Sequence, residues 1–361
     1  MGTDTETDQS HDSVLITGGT GFLGLHTCQY FDDNGWDVVA FDRVPFVESD
    51  DVSDIEYVEG DVRDEDAVRS VIDRVEPDVV VHAAAALPLW DADTIRAVTI
   101  DGTRSVLWAA QEAGIDRVVY ISSTAVYGVH EEHPITESSP LDGVGPYGNA
   151  KVQAEKLCGD FRRRGLCVPI LRPKTFIGPQ RLGVFQVLFD WVEDGANIPL
   201  VGWGHNEYQL LHVHDLVRAI ELLATADAER VDDTFNVGAT EYDTMKSDFQ
   251  ALIDHAGTDK RVVGTPALLT VAALRLLNEL NLSPLYPWIY ETAHHDSYVS
   301  VEKLRDLGWV PEYSNTEALI DTYDWYLDQY EATDTTDTGV DHRVAWDQGA
   351  LTLVKQVFQA F

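Results

Sequence analysis

A glycine-rich turn near the beginning of the chain constrains the fold more than any other feature of the sequence. The apolar run at residues 14–17 is followed by TGGTGFLG, which places Gly18, Gly21 and Gly24 three residues apart. The first glycine permits a tight turn, the second lets the backbone approach a pyrophosphate, and the third lets a helix pack against the strand. The N-terminus of that helix offers N–H groups and a positive dipole to an anion. The sequence therefore predicts a strand, a phosphate-binding turn and a helix.

Short apolar runs alternate with helical periodicity through the first half of the chain, which is typical of parallel sheets built from βαβ units. Strands are predicted at residues 14–17, 37–42, 55–58, 78–82, 117–122 and 167–171. Helices are predicted at residues 22–33, 65–74, 94–113 and 147–164. Because the strands read as continuous apolar runs, helices should cover both faces of the sheet. We predict an α/β fold, a Rossmann-type doubly wound parallel sheet with a smaller C-terminal substrate-binding region.

An acidic residue at the end of the second predicted strand indicates which dinucleotide the turn would hold. Asp42 lies 18 residues after Gly24, close to the spacing at which a carboxylate receives the ribose hydroxyls in this kind of fold. Such a carboxylate repels a 2′-phosphate, so NAD is favoured over NADP, although the neighbouring Arg43 keeps NADP as the weaker alternative. Asp61 and Val62, after the third strand, are expected to bracket the adenine ring.

The pattern divides the chain into five segments. Residues 13–173 form the predicted NAD-binding domain, and residues 174–331 form a substrate-binding region interleaved with it. Residues 1–12 are expected to be a disordered acidic tail, and the low-complexity residues 332–341 a linker. Residues 342–361 are predicted to be an amphipathic helix that packs on its own chain or on a second subunit. Its apolar face would consist of Val344, Leu351, Val354, Val357, Phe358 and Phe361.

The charge balance excludes several classes of partner. The 361 residues include 25 basic and 62 acidic side chains, which gives a net charge of −37. Such a surface repels nucleic acids and anionic headgroups, so neither partner is expected. Only 7 basic residues are lysines, and acid excess with few lysines predicts a halophilic protein, since at molar salt the Debye length shrinks to about 3 Å.

The location and the metal content are expected from what the sequence lacks. The most apolar stretch, residues 266–282, carries charged and polar side chains and is too short to span a bilayer. Residues 1–12 do not resemble a secretory signal. Cys28, Cys158 and Cys167 do not form a disulfide framework pattern, and neither they nor the histidines have the ligand spacing of a zinc site. We expect a cytoplasmic protein with no transmembrane segment and no metal.

A tyrosine and a lysine four residues apart, Tyr147 and Lys151, would project from one face of the fourth predicted helix. A phenol with a reference pKa of about 10 is a poor base at neutral pH. A nearby ammonium group and a positive nicotinamide ring both favour the phenolate. Tyr147 could then take or give a hydroxyl proton while hydride passes to or from the cofactor. Lys151 could also hold the nicotinamide ribose.

Ordered motifs along residues 13–330 resemble the extended short-chain dehydrogenase/reductases of the NAD-dependent epimerase/dehydratase group. They are TGGTGFLG, Asp42, GDV at 60–62, HAAA at 82–85, SSTAVYG at 122–128, YGNAK at 147–151, LRP at 171–173, LLHVHDL at 210–216 and KLRDLGWVP at 303–311. The resemblance implies a homodimer formed by the helices at 94–113 and 147–164. With the motifs, it predicts a cofactor site made of Gly18, Thr20, Gly21, Phe22, Leu23, Gly24, Asp42, Arg43, Asp61, Val62, Ala83, Ala84, Ala85, Tyr147, Lys151 and Pro173.

The same resemblance assigns Ser123 as the third catalytic residue, which hydrogen-bonds the substrate oxygen. Sugar 4,6-dehydratases carry Asp and Glu where this chain has Thr124 and Ala125, so dehydration is not expected. Nucleotide-sugar epimerases usually carry an Asn at the position of Thr175, and at that of Tyr208 an Arg that clamps the substrate diphosphate. A phenol does not replace that bidentate contact.

Three functions remain open from the sequence. The leading one is an NAD-dependent epimerase or dehydrogenase acting on a carbinol of a nucleotide-linked sugar, with substrate contacts expected from Thr124, Thr175, Arg181, Trp203 and Tyr208. The second is a hydroxysteroid-dehydrogenase-like oxidoreductase for an apolar alcohol or ketone. It depends on whether large apolar side chains line the pocket, namely Leu87, Pro88, Leu89, Trp90, Phe185, Trp203, Tyr208 and Trp288. The third is a non-catalytic dinucleotide sensor whose C-terminal segment binds a partner.

Overall fold

The structure is a computed structural model that describes residues 12–47, 49–50, 52–53, 55–280, 287–330, 338–339, 345–346 and 351–359. Of the predicted acidic tail at residues 1–12, only Asp12 is described. Of the predicted linker at residues 332–341, only residues 338–339 are described. The chain forms two compact units. The first unit comprises Met1–Ile121, Gln153–Ile170 and Ile220–Asp233, and the second unit comprises Ser122–Val152, Leu171–Ala219 and Thr234–Phe361.

Thirteen strands lie in the described residues. In chain order they are β1 (Ser13–Thr17), β2 (Asp37–Asp42), β3 (Glu56–Glu59), β4 (Val79–His82), β5 (Arg117–Ile121), β6 (Ile170–Pro173), β7 (Phe176–Ile177), β8 (Ile198–Val201), β9 (Leu211–His212), β10 (Thr234–Val237), β11 (Val262–Thr265), β12 (Thr338–Gly339) and β13 (Ala345–Trp346). Seven form one parallel sheet in the order β10-β6-β5-β4-β1-β2-β3. The sheet is doubly wound, since β1 pairs with both β2 and β4. The predicted Rossmann-type α/β fold is confirmed.

The helices of the described residues follow the predicted alternation. They are α1 (Phe22–Asp33), α2 (Glu65–Val75), α3 (Ala92–Arg96), α4 (Thr103–Ala113), α5 (Gly145–Arg162), α6 (Phe185–Glu193), α7 (Val213–Thr225), α8 (Ala228–Val231), α9 (Met245–His255), α10 (Ala267–Glu279), α11 (Pro287–Thr292), α12 (Glu302–Arg305), α13 (Asn315–Tyr330) and α14 (Leu351–Gln359). A π-helical segment, Ala97–Gly102, joins α3 to α4, and a 3₁₀ turn spans Thr124–Val126. None of the described helices is long and apolar enough to cross a membrane.

Several predicted elements have other bounds in the structure. The strand predicted at 167–171 is β6 at Ile170–Pro173, because Pro169 has no N–H to donate to a sheet ladder. The helix predicted at 94–113 contains the π-helical segment, which brings Gly102 so close to Val62 that a Cβ on the glycine would lie 2.6 Å from the valine side chain. The helix predicted at 147–164 begins two residues earlier and ends two residues earlier.

The C-terminal helix is shorter than predicted. It covers Leu351–Gln359 rather than 342–361, and β13 precedes it. Leu351 is buried, but Val357 is 55% exposed, so the predicted apolar face is only partly covered. Val344 and Phe361 lie outside the described residues. The helix packs on its own chain, since the Phe358 ring lies 6.5 Å from the Trp191 ring, measured between centroids.

Candidate active site

Two glycines of the turn in the first unit, Gly18 and Gly24, leave no room for a side chain. Gly18 adopts a left-handed backbone conformation with φ of +73°, and a Cβ there would lie 2.7 Å from the Ala84 backbone. A Cβ on Gly24 would lie 2.0 Å from the Gly18 carbonyl oxygen. The helix that follows begins at Phe22 with no acidic residue in its first turn. This cradle has the shape and the helix dipole that a pyrophosphate group requires.

The carboxylate that ends β2 is held in a fixed orientation. One oxygen of Asp42 accepts a hydrogen bond from the Thr20 N–H at 3.2 Å, and the other accepts from the Arg43 N–H at 2.7 Å. The Thr20 hydroxyl donates to the Val44 carbonyl oxygen at 2.9 Å. Thr20, predicted as a cofactor contact, therefore also positions Asp42.

Asp61 compensates the charge of Arg43. The Arg43 guanidinium lies 3.3 Å from the Asp61 carboxylate, and that of Arg63 lies 2.5 Å from it. The hydrogen bond from Arg63 is the main reason that the pKa of Asp61 is lowered. Since Arg43 is already paired with an acid, it offers less charge to a 2′-phosphate, which favours NAD. Val62 beside it is buried.

The HAAA segment at the end of β4 adjoins the glycine turn in the first unit. The Ala83 N–H donates to the Thr17 carbonyl oxygen at 3.1 Å. The buried His82 ring lies between two hydroxyl groups, 2.7 Å from that of Thr17 and 3.0 Å from that of Thr103. These bonds fix the segment beside the turn, so the part of the first unit predicted to bind a dinucleotide fits that cofactor.

The structure brings the three predicted catalytic residues together in the second unit. Ser123 precedes the 3₁₀ turn, and its hydroxyl oxygen accepts the Ala125 N–H at 3.1 Å. Tyr147 lies in the first turn of α5, followed by Gly148. A Cβ on Gly148 would lie 2.7 Å from the Ala125 carbonyl oxygen, so the glycine allows the helix to approach the turn. This close approach places Tyr147 within hydrogen-bonding reach of Ser123.

Burial is the main influence on the pKa of Tyr147, the tyrosine predicted to be catalytic. It raises the pKa of Tyr147 to about 12, and the hydrogen bond with Ser123 opposes that rise. The buried Lys151 places its Nζ 6.0 Å from the centre of the Tyr147 ring. Further positive charge near the phenol would lower the pKa of Tyr147 toward neutrality. A cation bound beside the phenol would therefore favour ionisation of Tyr147.

Other residues of the second unit brace this group. The Thr124 hydroxyl donates to the Pro173 carbonyl oxygen at 3.2 Å. The fully buried Tyr127 donates its hydroxyl proton to Asn236 at 2.7 Å and accepts from Arg172 at 2.7 Å. Thr124 and Pro173 were predicted as contacts to substrate and cofactor; Thr124 follows Ser123 in the chain, and Pro173 contacts Thr124.

The predicted substrate residues do not all line the same cavity. The hydroxyl oxygens of Thr175 and Tyr208 lie 3.0 Å apart, and both side chains line one cavity of the second unit. Arg181 is 5% exposed, which is unusual for a guanidinium. Trp203 is 63% exposed and lies outside the wall of this cavity.

We call this space the apolar cavity. It has a volume of about 580 Å³ and lies among β8, α6, α9, α10 and α14. Of the large apolar residues proposed to line a pocket, Phe185 and Tyr208 do so, whereas Trp90 is 41% exposed. The side chain of Trp288 lies outside the described part. Large apolar members of the wall include Trp191, Leu200, Phe249, Leu274, Leu351 and Phe358.

A buried lysine next to Thr175 was missed by the sequence analysis. Lys174 is 3% exposed, donates from Nζ to the Ser297 hydroxyl at 2.6 Å, and lies 4.9 Å from the centre of the Tyr208 ring. Burial lowers the pKa of Lys174 to about 7. The only sequence signal for a buried lysine here is that Lys174 directly follows the LRP segment at 171–173.

Replacing Lys174 by Met should flatten the pH dependence of stability. The unfolded chain, in which the lysine pKa returns to 10.5, binds more protons between pH 7 and pH 10, so the wild type gains stability as the pH rises. The slope from this group is about 1 kcal/mol per pH unit. Guanidinium unfolding at pH 7 and pH 9 measures it. Lys246→Met, at an exposed position, should keep the wild-type slope, and the same slope in Lys174→Met would contradict the assignment.

The histidines near β9 serve structural contacts. His212 Nε2 lies 3.1 Å from the Asp321 carboxylate, and the His212 ring stacks on Tyr313 with centroids 3.8 Å apart. Asp215 accepts backbone N–H groups from Glu312 at 2.8 Å and from Tyr313 at 3.0 Å. Within the part of the chain that the structure describes, no three His, Cys, Asp or Glu residues are grouped as metal ligands.

Known proteins resemble this chain along most of its length. It is 36% identical over 317 residues to the uncharacterized protein y4nG of Sinorhizobium fredii, covering 87% of this chain and 78% of that protein. It is 27% identical over 336 residues to a UDP-glucose 4-epimerase of Rhizobium leguminosarum bv. trifolii. That match covers 87% of this chain and 97% of the relative. The crystal structure of a Thermotoga maritima UDP-glucose 4-epimerase with UDP-glucose has the same fold, with a TM-score of 0.73 and 24% sequence identity. The match covers 88% of this chain and 99% of that structure.

A family profile matches more than half of the chain. Residues 14–238 match the profile of the NAD dependent epimerase/dehydratase family. That range contains the glycine turn, Asp42, Ser123, Tyr147 and Lys151. The chain is an enzyme that belongs to the NAD-dependent epimerase/dehydratase family of extended short-chain dehydrogenase/reductases.

Proposed function

We propose that this enzyme catalyses NAD-dependent hydride transfer at a secondary carbinol, with Tyr147 as acid and base. The observation that carries the proposal is the cluster of Tyr147, Ser123 and Lys151 in one unit, with Lys151 Nζ 6.0 Å from the Tyr147 ring. The glycine turn and Asp42 would hold the pyrophosphate and the adenosine ribose of NAD. When bound, NAD supplies the hydride acceptor and a positive charge.

Each residue of the cluster has a separate task in the proton transfer. Ser123 orients the substrate hydroxyl and hydrogen-bonds Tyr147. The phenolate of Tyr147 takes the hydroxyl proton, and the phenol returns it in the reverse direction. The positive charge of Lys151, whose Nζ lies 6.0 Å from the centre of the Tyr147 ring, would favour the phenolate over the phenol. Thr124 and Ala125 supply no carboxyl group, which favours redox or epimerisation over dehydration.

Two substrate classes are supported by different observations. The name of the Rhizobium relative favours a nucleotide-linked sugar, and the buried Arg181 is the cation that could receive its diphosphate. The neutral Thr175–Tyr208 pair on the wall of the apolar cavity favours an apolar alcohol or ketone. The non-catalytic dinucleotide sensor considered from the sequence is not proposed, because the chain belongs to a family of enzymes.

A substrate panel separates these possibilities. The protein, purified at high salt, is mixed with NAD and with nucleotide sugars or hydroxylated lipids, and NADH is followed by its near-ultraviolet absorbance. We expect members of one class to react, giving net NADH if the enzyme is a dehydrogenase, or an epimerised product without net NADH if it is an epimerase. NAD released by denaturation, identified by mass spectrometry, would indicate a retained cofactor and an epimerase. Absence of turnover by any carbinol would contradict the proposed function.

Asp42→Asn should weaken NAD selectivity. The amide lacks the charge that repels a 2′-phosphate and accepts fewer hydrogen bonds from the ribose, so NAD affinity should fall about tenfold or more. Calorimetric titration with NAD and NADP measures both constants, and their ratio should shift toward NADP. Asp37→Asn, at the exposed beginning of the same strand, should bind as the wild type. An unchanged ratio in Asp42→Asn would contradict the role of Asp42.

The acidic composition and the exposed helices support three further proposals. We propose that the protein is halophilic, is located in the cytoplasm, and forms a homodimer through α4 and α5. Trp108 on α4 is 46% exposed, and the Arg164 guanidinium lies 5.9 Å from its ring. An exposed tryptophan of this kind is typical of an interface. Sedimentation equilibrium at high and low salt tests the dimer and the salt requirement together.

A further inference from the structure

The polar side chains on the wall of the apolar cavity are already bonded within the protein. The hydroxyl groups of Thr175 and Tyr208 lie 3.0 Å apart. The Asp248 carboxylate accepts from the Asn315 side chain at 2.8 Å, and the Thr265 hydroxyl donates to the Leu200 carbonyl oxygen at 2.6 Å. A polar ligand would have to break such bonds, and leaving a buried polar group unpaired is costly. The wall therefore favours a hydrocarbon.

The charge on the wall also acts against an anionic ligand. Asp248 is 4% exposed and lines the cavity, and its carboxylate oxygens accept hydrogen bonds from the Asn315 side chain at 2.8 Å and the Thr316 hydroxyl at 3.1 Å. A diphosphate near this carboxyl group would suffer repulsion that little solvent screens. No Arg or Lys is among the side chains that line the cavity in the described part of the chain.

One residue of the cavity wall, Thr175, lies close along the chain to a residue that contacts the neighbour of Ser123. Thr124, the neighbour of Ser123, donates to the carbonyl oxygen of Pro173. Thr175, two residues further along, already belongs to the cavity wall. Two residues of chain span at most about 7 Å. A carbinol at Ser123 could thus extend its body into the cavity.

The C-terminal helix completes the wall on another side. Leu351, Val354 and Phe358 line the cavity from α14. Polar contacts hold the helix in place: the Asn197 N–H donates to the Phe358 carbonyl oxygen at 3.1 Å, and Lys355 pairs with Asp194. This helix is the segment that the sequence predicted would cover an apolar surface.

We propose that the apolar cavity binds the hydrocarbon body of the carbinol substrate, with α14 as part of the binding wall. The volume of about 580 Å³ lies in the range of ligand pockets. The identification of the bound molecule as a substrate rests on the proposed function, but the binding of a hydrocarbon in the cavity does not. Hydrocarbon binding can be measured without turnover.

The test uses the full chain with NAD and the neutral fluorescent probe Nile red, displaced by 1-dodecanol. The wild type should bind the probe saturably. Leu274→Trp, which fills the cavity from α10, should lower the affinity about tenfold or more because the indole occupies ligand space. Ala273→Phe fills the same cavity without removing a buried side chain and should act alike. Leu276→Trp changes a leucine of the same helix that is 57% exposed and outside the wall, so it should bind as the wild type.

The outcomes separate this inference from the catalytic proposal. Tyr147→Phe should lose turnover and keep the wild-type affinity for Nile red. Truncation before α14 should weaken probe binding while NAD binding persists. Absence of saturable binding by the wild type, equal binding by Leu274→Trp and Ala273→Phe, or displacement of the probe by UDP instead of 1-dodecanol would each overturn the inference.

Discussion

Tyr147→Phe should lower kcat by about 10²–10⁴-fold, the usual contribution of a positioned general acid or base. The substitution removes only the hydroxyl group that exchanges the substrate proton, so the ring and its packing remain. Affinity for NAD should stay near that of the wild type, because the glycine turn and Asp42 carry the dinucleotide. Steady-state kinetics with the substrate found in the panel, together with NAD titration, measures both effects.

Tyr127→Phe is the matched control for loss of a buried tyrosine hydroxyl. Tyr127 lies in the same motif as Ser123 and bonds to Asn236 and Arg172. Its replacement should lower stability by about 1–3 kcal/mol, because two buried partners lose a bond, while kcat remains within a few-fold of wild type. A Tyr147→Phe enzyme with kcat equal to that of Tyr127→Phe would rule out Tyr147 as the proton-transfer group.

Gly24→Ala should have the largest effect on the cofactor site. The added methyl carbon would lie 2.0 Å from the Gly18 carbonyl oxygen and 2.7 Å from the Gly19 Cα, which are both backbone atoms. The turn must then open, at a cost of about 1–3 kcal/mol or more. NAD affinity should fall about 100-fold, since the cradle for the pyrophosphate is distorted. Calorimetric titration and thermal unfolding measure the two effects.

Two other alanine variants separate cofactor binding from folding. A Cβ on Gly21 would meet only the Gly18 carbonyl oxygen, at 3.2 Å, so Gly21→Ala should fold and still bind NAD more weakly. Gly159 lies inside α5, where a Cβ would contact only the Arg163 side chain at 3.7 Å. Gly159→Ala should stabilise the helix by about 1 kcal/mol and leave NAD binding unchanged. Wild-type NAD affinity in both Gly21→Ala and Gly24→Ala would contradict the assigned cradle.

The parts of the fold that follow local rules could be predicted from the sequence. The glycine spacing, the apolar strands and the position of Asp42 each depend on a few adjacent residues, and the Rossmann-type fold follows from them. The later start of β6 depends on Pro169, which is visible in the sequence, whereas the interruption of the helix predicted at 94–113 depends on a distant contact. The π-helical segment ends at Gly102, which packs against Val62. No residue near Gly102 in the sequence indicates this contact.

The proposed catalytic cluster could be predicted from local spacing, whereas the apolar cavity could not. Tyr147 and Lys151 are one helical turn apart, so their pairing could be read from spacing. The cavity is assembled from residues between Thr175 and Phe358, and sequence periodicity does not show which apolar faces meet. The burial of Lys174 also depends on Ser297 and Tyr208, which lie far away along the chain.

The central claim is that hydride passes directly between a substrate carbon and NAD with Tyr147 carrying the proton. It is tested by offering the carbinol identified in the panel with deuterium on the reacting carbon and following the label by mass spectrometry. We predict that the deuterium is recovered on the nicotinamide or returned to the product carbon, and that Tyr147→Phe transfers almost none. Loss of the label to water would mean proton abstraction from carbon and would contradict the account.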